Sequence, residues 1–131
     1  MNILVIDDDT AETDLFEILV ESFPNVVTRI NLHDTWVLQI KKIKPDLIIL
    51  DLFSPDAENF KICKQIRELV SVPILVVSVI NSPDLIAKAL DAGADDVLSK
   101  PVSKSLLMAR LNGLITRNRG SKRRNISLLS H

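Results

Sequence analysis

Cysteine, histidine, tyrosine and glycine are scarce in this 131-residue chain, and the scarcity excludes several kinds of site. Cys63 is the single cysteine, so no internal disulfide can form, and we expect it to be a buried helix residue. The two histidines, His33 and His131, are far apart in sequence and form no ligand cluster for zinc. Disulfide scaffolds and zinc sites are therefore excluded.

Long apolar runs are also absent. No stretch approaches the roughly 20 apolar residues that a membrane span requires. The N-terminus passes from Met1 into a short apolar run and then into acids, without the basic and long apolar regions of a signal peptide. With 47% apolar residues, the chain can bury one core of single-domain size. We expect a soluble, cytoplasmic protein with no membrane contact.

Charge is distributed unevenly. The net charge is −1, but the last fifteen residues contain five basic residues and no acid, which leaves 11 basic and 17 acidic residues, or −6, before them. We expect a domain over residues 1–118 and a basic linker or tail over residues 119–131. Such a tail could contact nucleic-acid phosphates. A solvated linker is favoured, because charge runs without base-reading elements are common.

Short apolar runs alternate with amphipathic stretches along the whole chain. The runs are rich in Val and Ile, which suits strands covered on both faces, and they lie at 3–6, 26–30, 46–50, 73–79 and 96–99. Ser82-Pro83 and Ser103 are helix-start signals, and Gly93 is a helix-end signal. The pattern predicts an α/β fold, a doubly wound five-stranded parallel sheet of order 2-1-3-4-5.

Acidic residues follow the first and third predicted strands. Asp7, Asp8 and Asp9 end the first run, and Asp51 ends the third. These strands are neighbours in the predicted order, so their carboxyl ends share one crevice. Crowded carboxylates repel one another unless a cation lies among them, and an all-oxygen site suits Mg²⁺. Asp9 has a second interpretation, as the N-cap of the first helix.

Two further strand ends supply a hydroxyl and a cation to the same crevice. Strand 4 ends at Ser78, and strand 5 is followed by Lys100-Pro101. Carboxylates, a metal, a hydroxyl and an ammonium group around one aspartate match the needs of phosphoryl transfer. Asp51 is the candidate nucleophile, which would form an aspartyl phosphate.

Four segments, ILVIDDD, PDLIILDL-x-x-P, VPILVVS and GADDVLSKP, resemble the signature segments of the CheY-like response-regulator receiver domain, most closely its OmpR-like group. The resemblance covers about residues 2–118 and implies a flavodoxin-like fold. It implies a site made of the phosphoacceptor Asp51, the Mg²⁺ ligands Asp7, Asp8, Asp51 and the carbonyl of Phe53, the switch hydroxyl Ser78 and the phosphate-binding Lys100.

The resemblance also implies a biological role. A receiver takes its phosphoryl group from a sensor histidine kinase or a phosphotransfer protein in a two-component system. It catalyses only its own phosphorylation and dephosphorylation, and phosphate shifts the conformation of its helix 4, strand 5, helix 5 face. DNA would be reached only through an output domain absent from this chain. Whether the chain is a stand-alone receiver or a fragment stays open.

Several positions depart from the family pattern, Asn59 and Val97 among them. Asn59 stands where glycine is usual, and asparagine is the non-glycine residue that best tolerates the left-handed backbone conformation expected there. Val97 stands where an inward-swinging aromatic side chain is common, and valine cannot make that movement.

The helix 4, strand 5, helix 5 face has an apolar character of its own. Ile86 and Leu106 occupy positions of a charged pair in OmpR-like dimers, whereas Asp96 and Arg110 match that group's second ion pair. If Ile86, Val97 and Leu106 are exposed together, they form a patch suited to a homodimer. The alternative is that a different helix register places them in the core.

Two other functions fit parts of the sequence. A haloacid-dehalogenase-type phosphatase also has Asp-x-Asp after its first strand, as in Asp7 and Asp9, but it leaves Asp51 unexplained. Its acidic pair follows the lysine, whereas Asp95 and Asp96 precede Lys100. A receiver-like interaction module that works without phosphorylation is the other alternative, although all residues of the acidic pocket are present.

Overall fold

A computed structural model describes residues 1–8, 15–53, 55–80 and 82–129, with side chains as far as Arg117. Strands and helices alternate as the sequence predicts. In chain order they are β1 (Ile3–Asp7), α1 (Leu15–Ser22), β2 (Val27–Asn31), α2 (Trp36–Ile43), β3 (Leu47–Asp51), α3 (Ala57–Leu69), β4 (Ile74–Ser78), α4 (Pro83–Asp91), β5 (Asp96–Ser99) and α5 (Lys104–Leu129). Asp9, which has both metal binding and helix capping as expected roles, lies outside the described residues.

The five strands form one parallel sheet in the order β2-β1-β3-β4-β5, which confirms the predicted topology. Every residue of β1, β3 and β4 is buried, whereas β2 and β5 at the two edges are partly exposed. Central strands of a doubly wound sheet have no solvent face, which explains their continuous apolar runs. The order places the carboxyl ends of β1, β3 and β4 side by side.

Apolar side chains fill both faces of the sheet. On one face, α1 and α5 contribute Leu19, Leu107 and Leu111, among others, to a buried cluster with alternate residues of the central strands. On the other face, Cys63 and Ile66 of α3 pack with the remaining strand residues. Full burial of one such side chain contributes roughly 1.5–3 kcal/mol. The sheet therefore holds its strand ends on a rigid base.

Cys63 is fully buried, as the sequence predicts. Desolvation by the surrounding apolar side chains is the main cause that raises the pKa of its thiol to about 11. The thiolate is therefore scarce near neutral pH, and Cys63 acts as a small apolar side chain.

Side chains cap three helices at their N-termini. Ser82 accepts a hydrogen bond from the Leu85 amide, Ser103 accepts one from the Leu106 amide, and both caps were predicted. Asp56 accepts a hydrogen bond from the amide of Asn59 at 2.8 Å. The expectation of a left-handed Asn59 was wrong, because this residue lies in the first turn of α3.

The last helix runs from Lys104 to Leu129 and passes the predicted domain boundary at residue 118. The assignment of residues 119–131 as a linker or tail stays a prediction. Within the ranges described above, no helix combines the length and the apolar character needed to cross a bilayer.

Gly93, after the end of α4, has a backbone φ of +110°, a region that side chains disfavour. Arg67 of α3 packs directly against it. The Arg67 guanidinium donates to the Gly93 carbonyl at 3.0 Å, to the Val72 carbonyl at 3.0 Å and to the Asp95 carboxylate at 2.7 Å. A Cβ on residue 93 would lie 2.7 Å from the Arg67 side chain. Backbone conformation and space therefore both require glycine here.

We expect Gly93→Ala to lower the free energy of unfolding by about 2 kcal/mol, because it adds backbone strain and displaces Arg67. Urea denaturation followed by circular dichroism measures the change. Gly113→Ala is the matched control, since a Cβ there meets nothing within 4 Å. The control should gain about 0.5–1 kcal/mol from helix propensity. Equal stability of Gly93→Ala and wild type would contradict this account.

Candidate functional site

The predicted acidic residues meet at the carboxyl edge of the sheet. Asp7 and Asp51 end adjacent strands and are direct register partners. The amide of Asp8 donates to the Asp51 carbonyl at 3.3 Å, and the Asp8 carboxylate accepts from the Phe53 amide at 2.9 Å. Topology thus brings Asp51 beside Asp7 and Asp8, although it lies more than forty residues from them in sequence.

Lys100 neutralises Asp51. Its ammonium nitrogen lies 2.7 Å from an Asp51 carboxylate oxygen, and the two side chains are only 12% and 2% exposed. The Lys100 amide also donates to the carbonyl of Ser78 at 2.9 Å, which ties the loop after β5 to the end of β4. A buried charge is tolerated when it is paired in this way. The pair is the most enclosed ionic contact at this edge that the described residues provide.

Ser78 ends β4, on the strand next to Asp51. Its side chain is fully buried, and its hydroxyl oxygen makes no hydrogen bond to any of the described residues. Buried hydroxyl groups nearly always find a hydrogen-bond partner. A hydroxyl without one, at the end of a strand beside a lysine-paired aspartate, fits a group that bonds to an incoming ligand.

Asp7 is 4% exposed, and its pKa is raised above the ordinary value of 3.8. Burial is the largest cause, and the nearby charges of Asp51 and Asp8 act in the same direction. The hydrogen bond and positive charge of Arg29 oppose the shift without cancelling it. The folded protein therefore disfavours the ionised Asp7 carboxylate relative to the unfolded chain.

Arg29 is the residue of this site that the sequence reasoning missed. It lies on β2, in register with Val5 of β1, and its Nε donates to the Asp7 carboxylate. Its guanidinium also lies over the Phe16 ring of α1, 5.5 Å from the centroid. The available signal was a single cation in the apolar run VVTRI, two residues before the end of a strand adjacent to β1.

The residues fit Mg²⁺ by chemistry, since carboxylates at the end of a sheet form an all-oxygen donor set. No group of three or more His, Cys, Asp or Glu side chains in the described ranges is already arranged to hold a metal. In this structure Asp7 bonds to Arg29, Asp8 to the Phe53 amide, and Asp51 to Lys100. A metal at these carboxylates would compete with those contacts.

Exposed apolar side chains lie along α4 and α5. Ile86 and Leu106 are 41% and 45% exposed, so the core-filling alternative was wrong for these two residues. Val97 is half-buried and packs against the core, which makes the predicted patch smaller there. Leu90, also exposed on α4, was not predicted. Asp96 and Arg110, which match an ion pair of the OmpR-like dimers, contact each other within this chain, with an N–O distance of 3.1 Å.

Comparison with known sequences identifies relatives over most of the chain. The family model of the response regulator receiver domain matches residues 3–112. The transcriptional regulatory protein KdpE of Staphylococcus aureus is 37% identical over 110 residues, which are 83% of this chain and 47% of the relative. KdpE of Escherichia coli is 34% identical and covers 89% of this chain and 52% of its own length. This chain thus spans about half the length of these curated relatives.

Solved structures share the fold. The receiver domain of a LuxO repressor protein described from Vibrio parahaemolyticus superposes with a TM-score of 0.76 at 24% identity, over 92% of this chain and 94% of that one. A response regulator described from Chloroflexus aurantiacus has a TM-score of 0.73 at 26% identity, over 88% and 98% of the two chains.

We expect Asp7→Asn to stabilise the metal-free protein, because it removes a carboxylate that burial and two like charges disfavour. A gain of about 1 kcal/mol is expected in EDTA at pH 7.5, the scale of one close charge repulsion. Urea denaturation at several pH values measures it. A raised folded pKa means that wild-type stability is lost as the pH rises from 3.8 through the folded value. The advantage of Asp7→Asn should therefore grow over that window, and a constant difference would contradict this expectation.

Proposed function

Because this chain belongs to the response regulator receiver domain family, we propose that it accepts a phosphoryl group on Asp51. Receiver domains are the phosphoacceptors of two-component response regulators. The observation that carries the assignment to Asp51 is its 2.7 Å contact with Lys100 at the carboxyl end of the central strand. Asp51 is almost fully buried among apolar strand residues, yet it lies at the crevice where such folds bind ligands.

The proposed reaction transfers a phosphoryl group to a carboxylate oxygen of Asp51. An Asp51 carboxylate oxygen attacks the phosphorus of a phosphohistidine or a small phosphodonor, and the bond from phosphorus to the leaving nitrogen or oxygen breaks. The product is an acyl phosphate on Asp51. Lys100 moves its ammonium contact to the phosphoryl oxygens, whose negative charge it neutralises. The Ser78 hydroxyl, which lacks a partner among the described residues, then donates to the same group.

Mg²⁺ is proposed to bind through the carboxylates of Asp7, Asp8 and Asp51 and the carbonyl of Phe53. When bound, it supplies charge neutralisation for the transferring phosphoryl group. The protein's part is to hold the three acids close together at the ends of adjacent strands. Catalysis is limited to the domain's own phosphorylation and dephosphorylation.

A sensor histidine kinase or a phosphotransfer protein is the proposed donor, and the cytoplasm is the proposed location. The relatives named above are transcriptional regulators, so we propose that phosphorylation here controls transcription, with any DNA contact made by a different domain. Residues 1–118 would form the receiver, and residues 119–131 a basic linker or tail.

Incubation with Mg²⁺ and acetyl phosphate should add one phosphoryl group, about 80 Da by intact mass. The gain should require Mg²⁺ and disappear in Asp51→Asn. Asp91→Asn, a change of an exposed aspartate on α4, is the matched control and should be phosphorylated normally. Phosphorylation of Asp51→Asn at the wild-type level would contradict the proposal.

The proposed output surface is a homodimer through α4, β5 and α5, made by Ile86, Asp96, Val97, Leu106 and Arg110. The exposed Ile86 and Leu106 support it, together with the adjacent Asp96–Arg110 ion pair. Burial of these apolar side chains would drive association, and the ion pair would set orientation.

Light scattering of the phosphorylated protein should give the mass of a dimer, and Leu106→Glu should reduce it to a monomer because a buried charge opposes association. Leu38→Glu, on α2, controls for the loss of an exposed leucine, since Leu38 is 65% exposed. The dimer should persist in that variant. A dimeric Leu106→Glu would exclude this surface.

A further inference from the structure

We propose that Arg29 is a built-in competitor of Mg²⁺, a counter-cation that occupies Asp7 and weakens metal binding at the acidic edge. The inference rests on the proposed function, since it concerns the same Mg²⁺ site. It adds a residue from β2, an edge strand that contributes none of the residues assigned to that site.

Arg29 contacts Asp7 through a hydrogen bond between charged groups. The Arg29 Nε donates to Oδ2 of Asp7, so the cation engages a carboxylate assigned to the metal. The guanidinium also lies over the ring of Phe16 on α1, 5.5 Å from the ring centroid. Register places Arg29 opposite Val5, two residues before Asp7, so alternation along the strands puts Arg29 and Asp7 on the same face of the sheet.

The exposed fractions of the paired cations indicate that Asp7 is the carboxylate whose partner Mg²⁺ can displace most readily. The Lys100 side chain that holds Asp51 is 12% exposed, and Asp8 is held by the backbone amide of Phe53. The Arg29 side chain is 48% exposed, whereas Asp7 is 6% exposed. Arg29 can therefore rotate into water while Asp7 stays in place.

The positive charge of Arg29 makes Mg²⁺ binding at Asp7 less favourable. A divalent cation at Asp7 must either displace the guanidinium or stay close to a positive charge, and both cost free energy. Arg29 stabilises the crowded acids when Mg²⁺ is scarce and is released when it is plentiful. The Mg²⁺ concentration at which the acceptor becomes competent is thereby set by a side chain outside the ligand set.

Calorimetric titration of the unphosphorylated protein with Mg²⁺ tests the inference without a measurement of activity. We expect Arg29→Gln to bind Mg²⁺ about three- to tenfold more tightly than wild type. Arg117→Gln removes one exposed cation from α5 and should leave the dissociation constant unchanged, which controls for net charge. In wild type, the Arg29 Nε–H resonance should shift during the titration as its contact with Asp7 breaks.

The outcomes separate this inference from the proposed function. The role of Arg29 is supported if Arg29→Gln binds Mg²⁺ more tightly than wild type and Arg117→Gln does not. It is also supported if Arg29→Gln binds Mg²⁺ and wild type shows no binding. Equal or weaker binding by Arg29→Gln, with wild type binding Mg²⁺, overturns the role of Arg29 and leaves the proposed function standing. If neither protein binds Mg²⁺, the proposed metal site and the role of Arg29 are both overturned.

Discussion

Asp7 and Asp51 are register partners at the ends of two buried parallel strands, and the site is organised around this forced proximity of like charges. The sheet fixes their separation because both strands are packed on two faces by apolar side chains. Neither aspartate can move away without loss of that packing. The edge therefore requires positive charge, and the identity of the cation decides the state of the site.

Two cations of the chain meet that requirement in different ways. Lys100 is enclosed, pairs with Asp51 and donates its backbone amide to the carbonyl of Ser78. Arg29 reaches Asp7 from an edge strand and keeps about half of its side chain in water. In the function proposed above, the enclosed pair takes part in phosphoryl transfer, whereas the exposed pair competes with the metal.

Local patterns were sufficient to predict the sheet and the positions in it of most candidate site residues. Each strand is a short apolar run, and Asp7, Asp51 and Ser78 stand at run ends, so strand order alone brings them together. Arg29 could not be predicted in this way, because its role depends on the register of β2 against β1 and on the direction of a long side chain. The expectation for Asn59 was wrong because the Asp56 cap begins α3 before this residue, which therefore lies in a helix and not in a turn. The exposure of Ile86 and Leu106 depended on helix rotation, which sequence spacing left open between surface and core.

A crystal structure with Mg²⁺ and beryllium fluoride, an unreactive phosphoryl mimic, tests the central claim most directly. We expect the beryllium fluoride adduct on Asp51, contacts from Ser78 and Lys100 to it, Mg²⁺ on Asp7, Asp8 and Asp51, and the Arg29 guanidinium displaced from Asp7. An adduct on another carboxylate, or Mg²⁺ bound away from the ends of β1 and β3, would contradict it.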